Sequence, residues 1–213
     1  MYRKYIKRLM DIVISALGII ILSPIYLIVG VIVWIGIGRP VLFSQMRVGK
    51  GEKPFKLYKF RSMTNETDEN GDLLDEHLRL TKIGVVLRTL SIDELPELVC
   101  VFLGHMSLVG PRPLPVYYSP YYLKEERKRH LVRGGLIPPD GLSQKTIPEW
   151  EEQFAYDIDY VEKCSFLLDV KIIFTTFKIL FKRTETNYGA ERRLHLNEYR
   201  TIAAENQLQT IGK

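Results

Sequence analysis

The stretch that decides the fold reads Arg88-Thr-Leu-Ser-Ile-Asp-Glu-Leu-Pro-Glu-Leu98 and continues to Ser107-Leu-Val-Gly-Pro-Arg-Pro113. Two adjacent carboxylates, Asp93 and Glu94, lie between apolar neighbours, and Arg112 lies between two prolines. Because proline fixes φ and cannot continue a helix or a central strand, the Pro-Arg-Pro turn should be stiff and should aim one guanidinium in a set direction. The arginine fork suits phosphate oxygens, and paired carboxylates suit Mg²⁺ together with a nucleophile or a base. The stretch therefore predicts phosphate chemistry.

The same residues also fit the start of a helix. Ser91 and, three residues later, Glu94 have the spacing of a capping box, in which each side chain bonds the backbone N–H of the other residue. We expect this cap to form. It is compatible with the chemistry because a helix N-terminus attracts anions.

Composition indicates one domain with an anionic partner. The chain has 213 residues and a formal net charge of +5, which fits nucleic acid, membrane lipid or a phosphorylated small molecule. Its two cysteines, Cys100 and Cys164, provide no disulfide framework and suit a reducing compartment.

An N-terminal apolar segment runs from Ile12 to Ile37 without a charged side chain, and it exceeds the roughly 20 residues that a helix needs to cross a bilayer. Ser23 and Pro24 lie at its middle, where proline removes a backbone hydrogen bond and should break the helix. Basic residues flank both ends, so the positive-inside rule places both ends in the cytoplasm. We therefore expect a re-entrant hairpin, with a spanning helix that tolerates its proline as the alternative.

The middle of the chain predicts a β-hairpin. Short apolar runs, Val41 to Gln45 and Phe55 to Phe60, flank a glycine-containing loop. Lys59 and Arg61 are two residues apart and share one face of an extended strand, where they would present a double cation to a phosphate. An ordinary surface hairpin explains the same pattern. Helical spacing follows from 78 to 90.

The C-terminal half predicts two helices and a tail. Trp150 to Val161 has helical spacing, and Phe166 to Phe181 is almost wholly apolar with Lys171 and Lys178 on one face. That second pattern fits an interfacial membrane helix or a buried helix of the core, and both remain open. Beyond Arg183 the chain is polar, and we expect it to be mobile.

Six motifs, in order and with their spacing, resemble the bacterial sugar transferase family, the monotopic phosphoglycosyl transferases that begin glycan assembly on a polyprenyl carrier. The resemblance covers residues 1–183. The motifs are Phe43-x-Gln-x-Arg-x-Gly49, Tyr58-Lys-Phe-Arg-Ser-Met63, Arg79-Leu-Thr-Lys-x-Gly84, Leu87-Arg88, Ser91-x-Asp-Glu-Leu-Pro96 and Met106-Ser-Leu-Val-Gly-Pro-Arg-Pro113.

The resemblance implies an α+β, mostly helical fold. Residues 1–38 would form a re-entrant, membrane-associated helical hairpin broken at Ser23 and Pro24. Residues 39–183 would form the catalytic phosphoglycosyl transferase domain, with a small β-hairpin and interfacial amphipathic helices around a cytoplasmic active site. Residues 184–213 would be a polar C-terminal tail.

It also implies an enzyme that transfers a sugar 1-phosphate from a UDP-sugar to polyprenyl (undecaprenyl) phosphate and releases UMP. Asp93 would be the nucleophile and would form a phosphosugar-aspartate intermediate, while Glu94, together with Asp93, would hold Mg²⁺. Neighbouring cations should lower the pKa of Asp93 and keep it ionised. Substrate binding is expected from Lys59, Arg61, Arg88, Arg112, Arg133 and Asp157.

The expected partners are the UDP-sugar, polyprenyl phosphate and anionic membrane lipid, and nucleic acid is not expected. A homodimer and contacts with downstream glycosyltransferases are left open. The expected location is the cytoplasmic face of the bacterial inner membrane, in monotopic attachment. The sequence does not name the sugar.

Three departures from the family pattern stand in this chain. His105 replaces a usual aspartate, Cys100 replaces a common asparagine, and the segment from Gly134 to Gln144 replaces a Pro-Gly-Ile-Thr-Gly loop expected to touch the nucleotide sugar. Two other functions compete with the transferase. The altered segment leaves open a non-catalytic membrane scaffold of a glycan assembly complex, and the Asp-Glu pair would also serve a Mg²⁺-dependent phosphohydrolase that uses water instead of Asp93.

Overall fold

The computed structural model describes residues 1–143, 145, 147–183 and 193–211. Helices dominate and two small two-stranded sheets complete the architecture, which confirms the α+β, mostly helical expectation. The α-helices are α1 (Lys7–Gly36), α2 (Glu76–Arg79), α3 (Lys82–Thr89), α4 (Glu97–Leu103), α5 (Trp150–Lys163), α6 (Phe166–Arg183) and α7 (Leu196–Ile211). The strands are β1 (Leu42–Val48), β2 (Pro54–Phe60), β3 (Met106–Val109) and β4 (Gly134–Ile137).

The predicted hairpin is present, since β1 and β2 pair antiparallel with Ser44 opposite Tyr58. The second sheet was not predicted: β3 and β4 pair parallel, with Met106 opposite Gly134. Glycine permits this pairing, because a Cβ on Gly135 would lie 2.1 Å from the backbone nitrogen of Gly110. The second sheet therefore brings the segment that departs from the family pattern beside the Pro-Arg-Pro turn.

Helix α1 continues through Ser23 and Pro24, so the structure differs from the expected helix-break-helix. Pro24 has no N–H to donate to the carbonyl of Ile20, four residues earlier. The hydroxyl of Ser23 donates to that carbonyl instead, at 2.8 Å. One side chain thus satisfies the acceptor that proline leaves free, and the helix persists. The re-entrant path remains a prediction.

The first turns of α1 are attached by buried polar contacts to the domain that follows it in the chain. Lys7 forms an ion pair with Asp169 of α6, at 2.6 Å between Nζ and Oδ2. Asp11 Oδ1 accepts hydrogen bonds from Ser107 Oγ at 3.0 Å and from the Leu108 backbone N–H at 2.9 Å. Buried charges are costly without partners. These bonds therefore fix the position of the first turns of α1 against α6 and β3.

The second half of α1 packs on the same domain. Tyr26 donates its hydroxyl hydrogen to the carbonyl of Leu95 at 2.5 Å. Val33 is fully buried in a cluster with Phe60 and Leu87. Both halves of the helix therefore contact the body that carries the Asp-Glu pair.

Most of the remaining surface of α1 is apolar and exposed. The helical segment from Tyr2 to Gly36 is long and apolar enough to cross a membrane by length and composition, and only 11% of its most apolar window is buried. Helix α6 has an exposed face that mixes Leu167 and Phe174 with Lys171 and Lys178, while Ile172 on its other side is fully buried. This helix thus combines features of the two alternatives that its sequence left open.

The expected mobile tail is corrected for its described part. Leu196 is fully buried in a cluster with Tyr118, Trp150 and Phe154. The Trp150 indole donates its Nε1 hydrogen to the carbonyl of Leu194 at 3.0 Å. The segment that begins at Arg193 therefore docks on the same domain. Residues 184–192 and 212–213 of the predicted tail lie outside the described residues.

Candidate active site

The Asp-Glu pair lies on a single 3₁₀ turn, Ile92–Glu94, between α3 and α4. The predicted capping box is wrong. Ser91 adopts a left-handed conformation with φ of 54° and makes no side-chain cap, and its backbone N–H donates to the carbonyl of Arg88 at 3.1 Å. That N–H is therefore not available to Glu94, and α4 begins only at Glu97.

Glu94 is held between two cations. Its Oε1 lies 2.6 Å from Lys59 Nζ and 3.1 Å from Arg112 Nη1. Burial acts to raise the pKa of Glu94, but Arg112 and Lys59 outweigh it and hold the pKa well below its usual range. Glu94 is therefore an anion that fixes the two predicted phosphate-binding cations in the site.

Glu97 is a site residue that the sequence reasoning missed. Its Oε1 lies 3.2 Å from Lys59 Nζ, and the residue is only 4% exposed. Burial raises the pKa of Glu97, with Lys59 opposing the shift. The sequence could have indicated Glu97, because it lies three residues after Glu94 and residues three apart near a helix start face the same side.

Asp93 lines the cleft next to this pair and is 7% exposed. Within the described part of the chain, its carboxylate makes no hydrogen bond and no ion pair. Burial raises its pKa, opposed by Lys59 and, more weakly, by Arg88 and Arg112. The expectation that cations lower this pKa is corrected, because desolvation outweighs them. Asp93 is nevertheless the carboxylate that remains available to a ligand.

A cleft of about 1030 Å³ extends from the Asp-Glu pair. The segment that departs from the family pattern forms part of its wall, through Leu136, Ile137, Pro138, Asp140 and Gly141. This volume lies at the upper end of the range of small-molecule pockets, roughly 300–1000 Å³. The cleft therefore has room for a nucleotide-sized ligand.

Of the other predicted cations, Arg88 lines the cleft and donates from Nε to Ser62 Oγ at 2.9 Å. Arg61 is also at the cleft wall, but it donates to the carbonyls of Met63 at 2.8 Å and Arg39 at 2.7 Å. It is 8% exposed. The expected double cation of Lys59 and Arg61 does not form, because Arg61 ties backbone segments together.

Two predicted substrate-binding residues lie away from the cleft. Asp157 is fully buried and pairs with Arg129, at 2.7 Å between Oδ2 and Nη2. Arg129 in turn donates to the backbone carbonyl of Arg112 at 2.8 Å. Arg133 donates from Nε to the carbonyl of Gly104 at 2.8 Å. Asp157 therefore supports the Pro-Arg-Pro turn from behind, and Arg133 braces the end of α4.

The two single-residue departures from the family pattern also lie off the site. His105 stacks on Phe55, with ring centroids 5.9 Å apart. Cys100 is buried in α4, and its thiol lies 3.7 Å from the carbonyl of Lys56. Of the three departures, only the segment that starts at Gly134 lines the cleft.

Across the described ranges there is no group of three or more histidine, cysteine, aspartate or glutamate side chains that could hold a metal ion. Mg²⁺ in phosphate-transfer sites usually takes one or two carboxylates and completes its shell with substrate phosphates and water. Asp93, with its uncommitted carboxylate, and Glu94, whose contacts with Lys59 and Arg112 use Oε1, match that smaller donor set. The residues present therefore fit a Mg²⁺ ion that binds together with a phosphate ligand.

Comparison with known proteins gives one family. The model of the family described as bacterial sugar transferase matches residues 2–183. The chain is 43% identical over 191 residues to the "Uncharacterized sugar transferase EpsL" of Bacillus subtilis, covering 88% of this chain and 95% of that protein.

Two further relatives have named activities. One is the UDP-glucose:undecaprenyl-phosphate glucose-1-phosphate transferase of Klebsiella pneumoniae, 40% identical over 185 residues. The other is the UDP-N-acetylgalactosamine-undecaprenyl-phosphate N-acetylgalactosaminephosphotransferase of Aeromonas hydrophila, 35% identical over 197 residues. The matches cover 80% and 87% of this chain but 39% and 45% of these longer relatives.

Proposed function

The chain belongs to the bacterial sugar transferase family, and from that premise we propose that it transfers a sugar 1-phosphate from a UDP-sugar to polyprenyl phosphate and releases UMP. Relatives named for this reaction with two different sugars support the general chemistry. The observation that carries the proposal is the asymmetry of the Asp-Glu pair. Glu94 is committed to Lys59 and Arg112, while Asp93 lines the cleft with its carboxylate uncommitted.

In the first step, an oxygen of Asp93 attacks the phosphorus that carries the sugar. The bond from that phosphorus to the bridging oxygen breaks, and UMP leaves with the electron pair. The product is an acyl phosphate between Asp93 and the sugar. Attack of an anion on an anion requires cations at the phosphates, and Arg88 and Arg112 line the same cleft.

In the second step, a phosphate oxygen of polyprenyl phosphate attacks the same phosphorus. The acyl phosphate bond breaks and the Asp93 carboxylate is restored, so covalent catalysis divides one transfer into two displacements. Lys59 and Arg112 stay fixed by Glu94 through both steps, which spares the cost of reorganising them at each transition state. When bound at Asp93 and Glu94, Mg²⁺ would supply Lewis-acid neutralisation of the phosphate charge.

The proposal includes attachment to the cytoplasmic face of the membrane. The long apolar helix supports membrane association. Because both halves of α1 contact the catalytic domain, we propose a monotopic arrangement in which the helix enters and leaves on one side. Lys171 and Lys178 on the exposed face of α6 would meet anionic headgroups.

The test is a trapping experiment with labelled UDP-sugars and without polyprenyl phosphate. Wild type should release UMP and retain one labelled phosphosugar on a peptide that contains Asp93. Asp93→Asn should do neither, because the amide keeps the shape and lacks the attacking oxygen anion. Free sugar phosphate without labelled protein would indicate a phosphohydrolase. Absence of UMP release across a panel of UDP-sugars would indicate a scaffold.

A further inference from the structure

Arg193 lies beyond the residues that match the family model, which end at 183, yet it lines the cleft. Its side chain is held from two directions. Nη1 donates to the carbonyl of Pro148, and Nη2 donates to Gln153 Oε1 at 2.8 Å. The plane of the guanidinium is therefore fixed within the wall.

The guanidinium of Arg193 is stacked on Trp150, with its central carbon 3.5 Å from the centroid of the indole ring. Trp150 is 4% exposed and is itself anchored by the hydrogen bond to the Leu194 carbonyl. Arg193 lines the cleft and Trp150 does not. The indole thus occupies one face of the guanidinium, and only the other face is left for a ligand in the cleft.

Arg193 and the Asp-Glu pair share one continuous cleft. Asp140 also lines this cleft and is within electrostatic reach of both Arg112 and Arg193. Glu94 and, more weakly, Asp140 raise the pKa of Arg112 against the effect of burial. Burial lowers the pKa of Arg193, and Asp140 opposes that shift. Lys59, Arg88 and Arg112 also line this cleft, and the proposed function assigns these three cations to the phosphates. Arg193 is then available for another part of the donor.

We propose that Arg193 is the platform on which the uracil ring of the UDP-sugar stacks. This inference rests on the proposed function and names a specificity-determining residue for it. A planar guanidinium backed by an indole presents a flat face, and nucleobases stack on aromatic and guanidinium planes. A sugar ring is not planar and offers hydroxyls, which bind to the edges of a guanidinium. Two edge positions of Arg193 are occupied by Pro148 and Gln153.

The experiment measures binding of UMP and of ribose 5-phosphate to the full chain in detergent, without turnover. Trp34→Phe leaves Trp150 as the sole tryptophan, so that its emission reports a ligand over Arg193, and calorimetry gives the affinities. Arg193→Lys keeps the charge and loses the plane, and Arg193→Ala loses both. Arg200→Lys is the matched control, because Arg200 is in the same docked segment, pairs with Glu126 and Glu151, and does not line the cleft.

Stacking predicts that Arg193→Lys and Arg193→Ala both weaken UMP binding by roughly 5- to 150-fold and leave ribose 5-phosphate binding unchanged, measured at a temperature at which each variant is folded. Arg200→Lys should bind UMP like wild type. Equal UMP affinity in wild type and Arg193→Lys overturns the stacking role, and so does an equal loss for both ligands, which would indicate a phosphate contact. If wild type binds no UMP, the proposed function fails with it.

Discussion

At the scale of single residues, the site is organised by one carboxylate oxygen. Glu94 Oε1 contacts both Lys59 and Arg112, and Lys59 also contacts Glu97. Glu94, which is partly buried, and Glu97, which is buried, therefore hold one lysine and one arginine at the cleft wall. A buried charge retains its ionised form only with such partners, so we expect the set to respond to substitution as a unit.

Arg112→Ala should lower kcat/KM for the UDP-sugar by roughly 10- to 150-fold. This range corresponds to the loss of a hydrogen bond to a charged group, which contributes about 1.5–3 kcal/mol. The folded state should persist, because the Arg112 side chain is 41% exposed. Arg133→Ala is the matched control, since Arg133 binds the Gly104 carbonyl away from the cleft. A comparable loss of activity in both variants would contradict the assignment of Arg112.

His130 predicts a dependence of stability on pH. It is 6% exposed, and burial lowers its pKa to about 3, with Arg129 adding to the shift. Between its ordinary pKa of about 6.5 and about 3, the unfolded chain binds a proton that the folded chain does not, so stability is present above pH 6.5 and is lost as the pH falls.

The expected loss for this one residue is about 2 kcal/mol between pH 7 and pH 5. His130→Phe keeps the aromatic contact with Tyr122 and removes the titrating group. Urea unfolding at both pH values should give a smaller difference for the variant than for wild type. Parallel curves for the two proteins would refute the assignment to His130.

At the scale of elements, helix α5 supports the Pro-Arg-Pro turn through a buried ion pair. Asp157 of α5 holds Arg129, and Arg129 donates to the backbone carbonyl of Arg112. The geometry makes Asp157 and Arg129 positioning residues, because neither lines the cleft.

Asp157→Asn should destabilise the protein by about 3–5 kcal/mol, because it leaves Arg129 as a buried charge without its partner. The double variant Arg129→Met with Asp157→Leu should regain stability, since apolar replacement of a buried pair is often neutral. Its kcat should remain low, because the Arg112 carbonyl loses its donor. Chemical denaturation and turnover measured on the same preparations separate the effect on stability from the effect on kcat. Full activity in the double variant would show that Asp157 and Arg129 do not position Arg112.

The sequence was sufficient for elements that local patterns determine. The β-hairpin, the helices after 150 and the placement of Asp93, Glu94 and Arg112 around one cleft follow from periodicity, turn residues and motif spacing. The sequence did not predict features that depend on contacts between distant segments. Asp157 points into the interior because it pairs with Arg129, a partner that its own segment does not reveal. Ser91 has a left-handed backbone, which the sequence did not indicate because serine commonly caps helices.

At the scale of the whole molecule, α1 is attached to one body along its length, from the Lys7–Asp169 ion pair to the burial of Val33. A helix that crossed the bilayer would carry one of these attachments to the other side. We therefore expect both ends of the helix on the cytoplasmic side.

Lys4→Cys and Lys53→Cys place one exposed thiol on either side of α1. Both should resist an impermeant thiol reagent in intact cells and react after lysis, with the wild-type chain as background for Cys100 and Cys164. Labelling of one introduced cysteine in intact cells would establish a spanning helix and exclude the re-entrant path.

The hydrogen bond from the Tyr26 hydroxyl to the carbonyl of Leu95 bears on the rate at which a lipid acceptor meets the site. Leu95 follows the Asp-Glu pair directly, so in the proposed membrane-bound enzyme the apolar helix would hold Asp93 next to the plane in which a lipid acceptor moves. The acceptor would then search for its target in two dimensions, and the encounter rate would follow its number per unit area of bilayer. Adding inert lipid at constant protein should slow the second displacement, whereas diluting the vesicles with buffer should not.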